Sequence, residues 1–127
     1  MGKKILIIED NADLRRILAL TLRYMDYEPL EAKDGYVGIE MSLAERPDLV
    51  LLDLGLPGMN GIETAKKIKK NPYTVQIPIV AYTAWSQTEI EAKAREAGLE
   101  EYLQKPVSLN AIINVIERLT KQKAPTH

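Results

Sequence analysis

Four short apolar runs along this chain each stop at a polar point. Ile5-Leu6-Ile7-Ile8 stops at Glu9 and Asp10, Leu49-Val50-Leu51-Leu52 at Asp53, Ile77 through Tyr82 at Thr83, and Tyr102-Leu103-Gln104 at Lys105-Pro106. Short apolar runs without strict alternation predict strands buried on both faces, as in a parallel sheet. A weaker strand is predicted over Tyr27 to Ala32. Pro29 within it points to a sheet edge, where a missing N–H is tolerated.

Helical spacing fills the intervals. From Ala12 to Met25, the residues Leu14, Ile17, Leu18, Thr21, Leu22 and Met25 share one face. Asp34 is placed to cap a second helix running to about Glu45, and Pro47-Asp48 closes that unit. The stretch Leu54-Gly55-Leu56-Pro57-Gly58-Met59-Asn60-Gly61 is rich in turn residues and leads into a helix from Gly61 to Lys70, stopped by Asn71-Pro72. A fourth helix spans Gln87 to Ala97 with Gly98 as its stop. Ser108 caps the last one, whose apolar face is Leu109, Ile112, Ile113, Ile116 and Leu119. Five strand–helix units predict an α/β three-layer sandwich with right-handed crossovers. No repeat or linker divides the chain, so residues 1–127 read as one domain with a core over about 3–121 and a polar tail at 122–127.

Composition changes this picture only by exclusion. The chain is 46% hydrophobic and 28% charged, ordinary for a soluble globular protein. A net charge of -1 gives no bulk attraction for nucleic acid. Without cysteine there is neither a disulfide framework nor a thiolate metal site. No apolar stretch approaches a membrane span, so membrane insertion is not expected. Met1-Gly2-Lys3-Lys4 runs straight into a strand and leaves no room for a signal peptide, which makes a cytoplasmic location the expectation.

In a parallel sheet the ligand crevice lies at the carboxyl ends of the strands. Glu9, Asp10, Asp53, Thr83 and Lys105 therefore converge: three carboxylates, a hydroxyl and an ammonium. The loop after the first strand, Glu9 to Asp13, is acidic and lacks glycine, which disfavours a flavin phosphate or dinucleotide there. It suits a hard cation instead, since Mg²⁺ takes a few carboxylate oxygens and keeps several waters. Asp10 and Asp53 can supply two such ligands, and the full set suits a metal beside a phosphoryl group on a carboxylate.

The plain alternative is that the acids are helix caps or solvated loop charges, and it is the better account of Asp13, Asp34 and Asp48. It is weaker for Asp10 and Asp53, because like charges at the ends of buried strands need a compensating cation. Lys105 has the alternative of an exposed lysine; Pro106 after it fixes the chain direction, and a cis peptide between them is open. Thr83 alone carries little information, since β-branched residues are common in strands.

With those residues in view, the chain resembles the receiver domain of two-component response regulators, a flavodoxin-like family that includes chemotaxis-type receivers. The stretches that carry the resemblance are Ile-Ile-Glu-Asp-Asn (7–11), Leu-Leu-Asp-Leu-Gly-Leu-Pro-Gly-Met-Asn-Gly (51–61), Ala-Tyr-Thr-Ala (81–84) and Tyr-Leu-Gln-Lys-Pro (102–106). The resemblance implies a five-stranded parallel sheet in the order 2-1-3-4-5 with five helices. It implies Asp53 as phosphoacceptor, Asp10 as a direct Mg²⁺ ligand, Glu9 as a ligand mainly through water, and the Gly55 carbonyl as a third protein ligand. Lys105 would pair with the phosphoryl group, Thr83 would hydrogen-bond it, and Tyr102 would be the aromatic switch residue. The implied partners are a histidine kinase or histidine phosphotransfer protein as donor, and an output protein bound through the fourth helix, fifth strand and fifth helix. The resemblance also leaves room for a phosphorylation-dependent homodimer, and implies no direct nucleic-acid contact.

Two positions depart from the commoner family pattern. Residue 55 is glycine where a larger side chain is usual, and residue 85 is the only tryptophan. Both fall where family side chains tune the lifetime of the phosphoryl group. Gly55 offers no group to orient a water. Trp85 is open to two readings, an apolar lid over the approach to Asp53 or an outward anchor for a partner.

Two rival functions remain at this point. A haloacid-dehalogenase-type phosphatase also uses a nucleophilic aspartate, but its general acid two residues on corresponds here to Gly55, which cannot act. A pseudo-receiver that is never phosphorylated is opposed by the intact set of Asp10, Asp53, Thr83 and Lys105.

Overall fold

Every predicted strand forms within two residues of its expected bounds in the computed structural model, which describes residues 2–121. The polar tail expected at 122–127 lies outside the described residues. The strands are Lys4–Ile8 (β1), Glu28–Ala32 (β2), Leu49–Asp53 (β3), Ile79–Thr83 (β4) and Glu101–Gln104 (β5). The helices between and after them are Ala12–Tyr24 (α1), Gly35–Glu45 (α2), Gly61–Lys70 (α3), Gln87–Ala97 (α4) and Leu109–Thr120 (α5). The sheet is wholly parallel, in the order β2-β1-β3-β4-β5. This is the flavodoxin-like arrangement, and β2 with its Pro29 occupies an edge as expected.

Alternation along the strands divides the core into two layers. Leu6, Ile8, Val50, Leu52, Ile79 and Ala81 pack with Ile62, Ala65 and Ile68 of α3 and with Ile90, Ala94 and Ala97 of α4. Val37, Ile39 and Met41 of α2 close the same side. Ile5, Ile7, Leu49, Leu51, Val80 and Tyr82 face the other way, against Leu18 and Leu22 of α1 and Ile112, Ile113 and Ile116 of α5. Leu49, Val50, Leu51 and Leu52 are all fully buried, because helices cover both faces of the central strand. Each such side chain contributes about 1.5–3 kcal/mol by leaving water.

The helix starts follow the side chains predicted to set them. Asp34 accepts from the Val37 N–H at 2.9 Å and Ser108 from the Ala111 N–H at 3.1 Å. Asn11 and Asn60 do the same for α1 and α3.

Three details differ from the pattern-based expectation. β4 begins at Ile79 rather than Ile77. Pro78 has no N–H to give the ladder, and the Ile77 N–H donates instead to the Thr74 carbonyl in the preceding turn. Ile17 is 51% exposed although helical spacing puts it on one face with Leu18 and Leu22. The sheet covers a stripe centred on Leu18 and Leu22 that includes Ala19, and Ile17 lies about 100° around the helix from Leu18. Leu109, the first residue of α5, is also exposed.

Candidate functional site

The carboxyl ends of β1, β3 and β4 stand side by side, and parallel pairing fixes which residues meet there. Ile8 pairs with Leu52, and Asp53 pairs with Tyr82. Glu9, one step beyond Ile8, therefore shares a row with Asp53 and Tyr82 across three neighbouring strands. The parity of that row turns all three side chains toward α1 and α5. Asp10 is the next residue and is exposed, whereas Glu9 and Asp53 are 1% and 4% exposed.

Glu9, Asp10 and Asp53 each offer a carboxylate oxygen, and the three oxygens lie within 4.8 Å of one another. Acids this close raise one another's energy, and an oxygen-seeking divalent cation offsets the repulsion. The donor set is all oxygen and carries a formal excess of negative charge, which fits Mg²⁺ and offers nothing to a soft metal. Burial holds the Glu9 carboxyl above its ordinary range, against hydrogen bonds from Tyr82 and Asn11 that favour the charged form. The nearby Asp53 charge adds to the upward shift.

Asp53 is held from two sides. Its Oδ1 accepts from the Gly55 N–H at 2.9 Å, and Lys105 Nζ lies 3.5 Å from its Oδ2. Lys105 is brought in by the sheet itself. Its N–H donates to the Thr83 carbonyl at 2.7 Å, one step beyond the Thr83–Gln104 pair, and the peptide to Pro106 is cis. Gly55 is exposed, and a side chain built on it would begin 3.5 Å from Asp53 Oδ1, an ordinary contact distance.

Thr83 closes β4 and is buried at 1% exposure. Its Oγ1 accepts from the Trp85 N–H at 3.1 Å, which uses a lone pair and not the hydroxyl proton. Trp85 is half-buried and packs against the core layer shared by α3 and α4, as does the half-buried Tyr102. Tyr102 pairs with Ala81 across β4 and β5 and borders a groove with Gln87 and Ile90 of α4. The three carboxylates are thus gathered with Lys105 beside Asp53, while Thr83, Trp85 and Tyr102 form a second group on the α3 and α4 side. Asp34 and Asp48 are structural, as the plain alternative had it: Asp34 caps α2, and Asp48 accepts from the Lys4 N–H at 2.8 Å.

Sequence reasoning passed over Tyr82. Its hydroxyl donates to Glu9 Oε1 at 2.6 Å, and Lys105 Nζ sits 5.2 Å from the centre of its ring. Burial, then the neighbouring Glu9 carboxylate, push the phenol far above its ordinary value, so it stays protonated and donates. The available signal was a tyrosine inside an otherwise apolar strand, since a buried phenol needs a polar partner. Arg15 was missed as well; its guanidinium donates to the Glu9 carbonyl at 2.8 Å and pairs with Glu31.

Comparison with known proteins agrees with this geometry. Residues 5–117 match the family described as response regulator receiver domain. The chain is 34% identical over 125 residues to the phosphate regulon transcriptional regulatory protein PhoB of Pseudomonas aeruginosa, covering 98% of this chain and 55% of that protein. It thus spans about half the length of that relative. It is 31% identical over 117 residues to the polar-differentiation response regulator DivK of Brucella anthropi, covering 92% of this chain and 95% of that one. Among solved structures, the receiver domain of the sensor histidine kinase PA1611 from Pseudomonas aeruginosa superposes with a TM-score of 0.86 at 25% identity. The match covers 96% of this chain and all of that one, and that structure holds a magnesium ion in its active-site cleft.

Proposed function

Because the chain belongs to the response regulator receiver domain family of two-component signalling, we propose that it accepts a phosphoryl group on Asp53 and thereby switches a protein-binding surface. The observation that carries this reading is Asp53 itself. It is a nearly buried carboxylate set between a lysine ammonium at 3.5 Å and two further acids. That is a nucleophile with a positive charge beside it, within a cation-binding cluster.

The donor is a phosphohistidine on a histidine kinase or phosphotransfer protein. One Asp53 oxygen forms the O–P bond as the donor's N–P bond breaks, and the imidazole leaves with the bonding pair. Asp10, Asp53 and the Gly55 carbonyl would hold Mg²⁺, and Glu9 would act through water. When bound there, Mg²⁺ supplies positive charge against the phosphoryl oxygens. Lys105, 3.5 Å from Asp53 Oδ2, pairs with the same oxygens. The Gly55 N–H already engages Asp53 and keeps the carboxylate oriented. Thr83 turns its hydroxyl proton to the new anion, and Tyr102 moves with it, which alters the surface of α4, β5 and α5 toward an output protein or a second copy of the chain. Gly55, whose N–H engages Asp53, and Trp85 tune how long the phosphoryl group survives. Over about residues 3–121 this chain acts as one receiver domain in the cytoplasm, a signalling phosphoacceptor whose only catalysis is its own Mg²⁺-dependent phosphorylation and dephosphorylation.

The test is phosphorylation by a small phosphodonor with Mg²⁺, read as a mass gain. The wild type gains one phosphoryl group, and Asp53→Asn keeps the fold and gains none. Labelling of Asp53→Asn at the wild-type level would place the acceptor elsewhere. Continuous turnover of the donor without a stable adduct would favour an enzyme.

A further inference from the structure

We propose that Tyr82 is a positioning residue for the acidic cluster, holding the Glu9 carboxylate in its metal-facing orientation through its hydroxyl. The inference rests on the receiver reading above. The row of Glu9, Asp53 and Tyr82 across β1, β3 and β4 puts the phenol under the cluster and not in the lipophilic layer alone. The 2.6 Å separation from Glu9 Oε1 lies in the range of a charge-assisted O–H···O bond. The other Glu9 oxygen accepts from the Asn11 N–H at 2.9 Å. Each oxygen therefore has one fixed protein donor and keeps lone-pair capacity for a metal-bound water. Without the hydroxyl, Oε1 would be a buried acceptor with no donor, and only the Asn11 N–H would hold the carboxylate.

The ring has a separate part to play. Val80 and Tyr82 point to the α1 and α5 side, so the ring is fixed by packing and its face meets Lys105 Nζ at 5.2 Å. A phenylalanine keeps that face and the packing but loses the donor. Tyr82→Phe thus separates the two functions.

Direct calorimetric titration of the full chain with Mg²⁺ tests the idea. Tyr82→Phe should weaken Mg²⁺ binding by about tenfold, the lower end for loss of a partner that orients a ligand. With a small phosphodonor, the half-saturating Mg²⁺ concentration should rise by the same factor, while the rate at saturating Mg²⁺ falls by less than about twofold. In a Glu9→Gln background, Tyr82→Phe should change Mg²⁺ affinity by less than about twofold, because the hydroxyl acts only through that carboxylate. A packing role alone predicts a lower melting temperature with unchanged affinity. Tyr82→Phe with wild-type affinity, or effects of the two substitutions that simply add, overturns the inference and leaves the receiver reading standing. A wild-type chain that binds no Mg²⁺ overturns both.

Discussion

Glu9 shows how much a single buried charge can decide. It is 1% exposed, and its carboxyl is shifted upward mainly by burial. A carboxyl with a folded-state value above its unfolded one binds more protons when native in the interval between the two. Stability therefore falls as pH rises through that interval, starting from the ordinary value of 4.5. In EDTA the wild type should lose melting temperature relative to Glu9→Gln as pH rises above about 4.5, and charges elsewhere cancel in the difference. Mg²⁺ should shrink that gap, because a cation bound only by the native state adds about 2.7 kcal/mol at a hundredfold excess over its Kd. A difference that stays flat with pH, or that ignores Mg²⁺, would show that the buried charge carries no cost.

Whole elements are held by less visible devices. Lys69, in the last turn of α3, sends its ammonium to the Val75 carbonyl at 3.1 Å, the Ile77 carbonyl at 2.7 Å and Glu100 at 3.0 Å. Glu100 in turn accepts from the Ile79 N–H at 2.8 Å. One side chain thus ties α3 to the start of β4 and to the turn before β5. Lys69→Met keeps the stem and removes the donors, and should cost about 1–3 kcal/mol by stranding the Ile77 carbonyl, measured by urea unfolding. A loss below about 0.5 kcal/mol, the scale of an exposed ion pair, would mean water replaces the clamp. The elements themselves were legible because both-face burial writes itself as continuous apolar runs and because Asp34 and Ser108 mark helix starts. The start of β4 was not, since a proline inside an apolar run does not say on which side pairing begins. The exposure of Ile17 was not either, since helical spacing gives a stripe but not how much of it the sheet covers.

At the scale of the molecule, the end of β4 lies between Asp53, proposed above as the acceptor, and β5, part of the proposed output surface. The candidate site residues were legible because a parallel sheet gathers its strand ends, so four polar points far apart in sequence had to converge. The Tyr82–Glu9 contact depends on the relative register of β1, β3 and β4, which no local pattern encodes. The same limit applies to the contact between Thr83 and Trp85. The Trp85 N–H is held by Thr83 Oγ1 at 3.1 Å, and its ring packs on the α3 and α4 layer with Tyr102. A phosphoryl group on Asp53 that draws the Thr83 hydroxyl toward itself moves the oxygen that accepts from the Trp85 N–H, and so changes the setting of Trp85. Trp85 is the sole tryptophan, so its emission reports the change without any partner. Phosphorylation, or Mg²⁺ with a phosphoryl mimic, should shift the wild-type emission. Thr83→Ala should still gain a phosphoryl group on Asp53 but lose most of that shift, because the hydroxyl that links the two groups is gone. If Thr83→Ala is labelled and keeps the full emission change, the signal reaches α4 by another route and Thr83 is not the coupling residue.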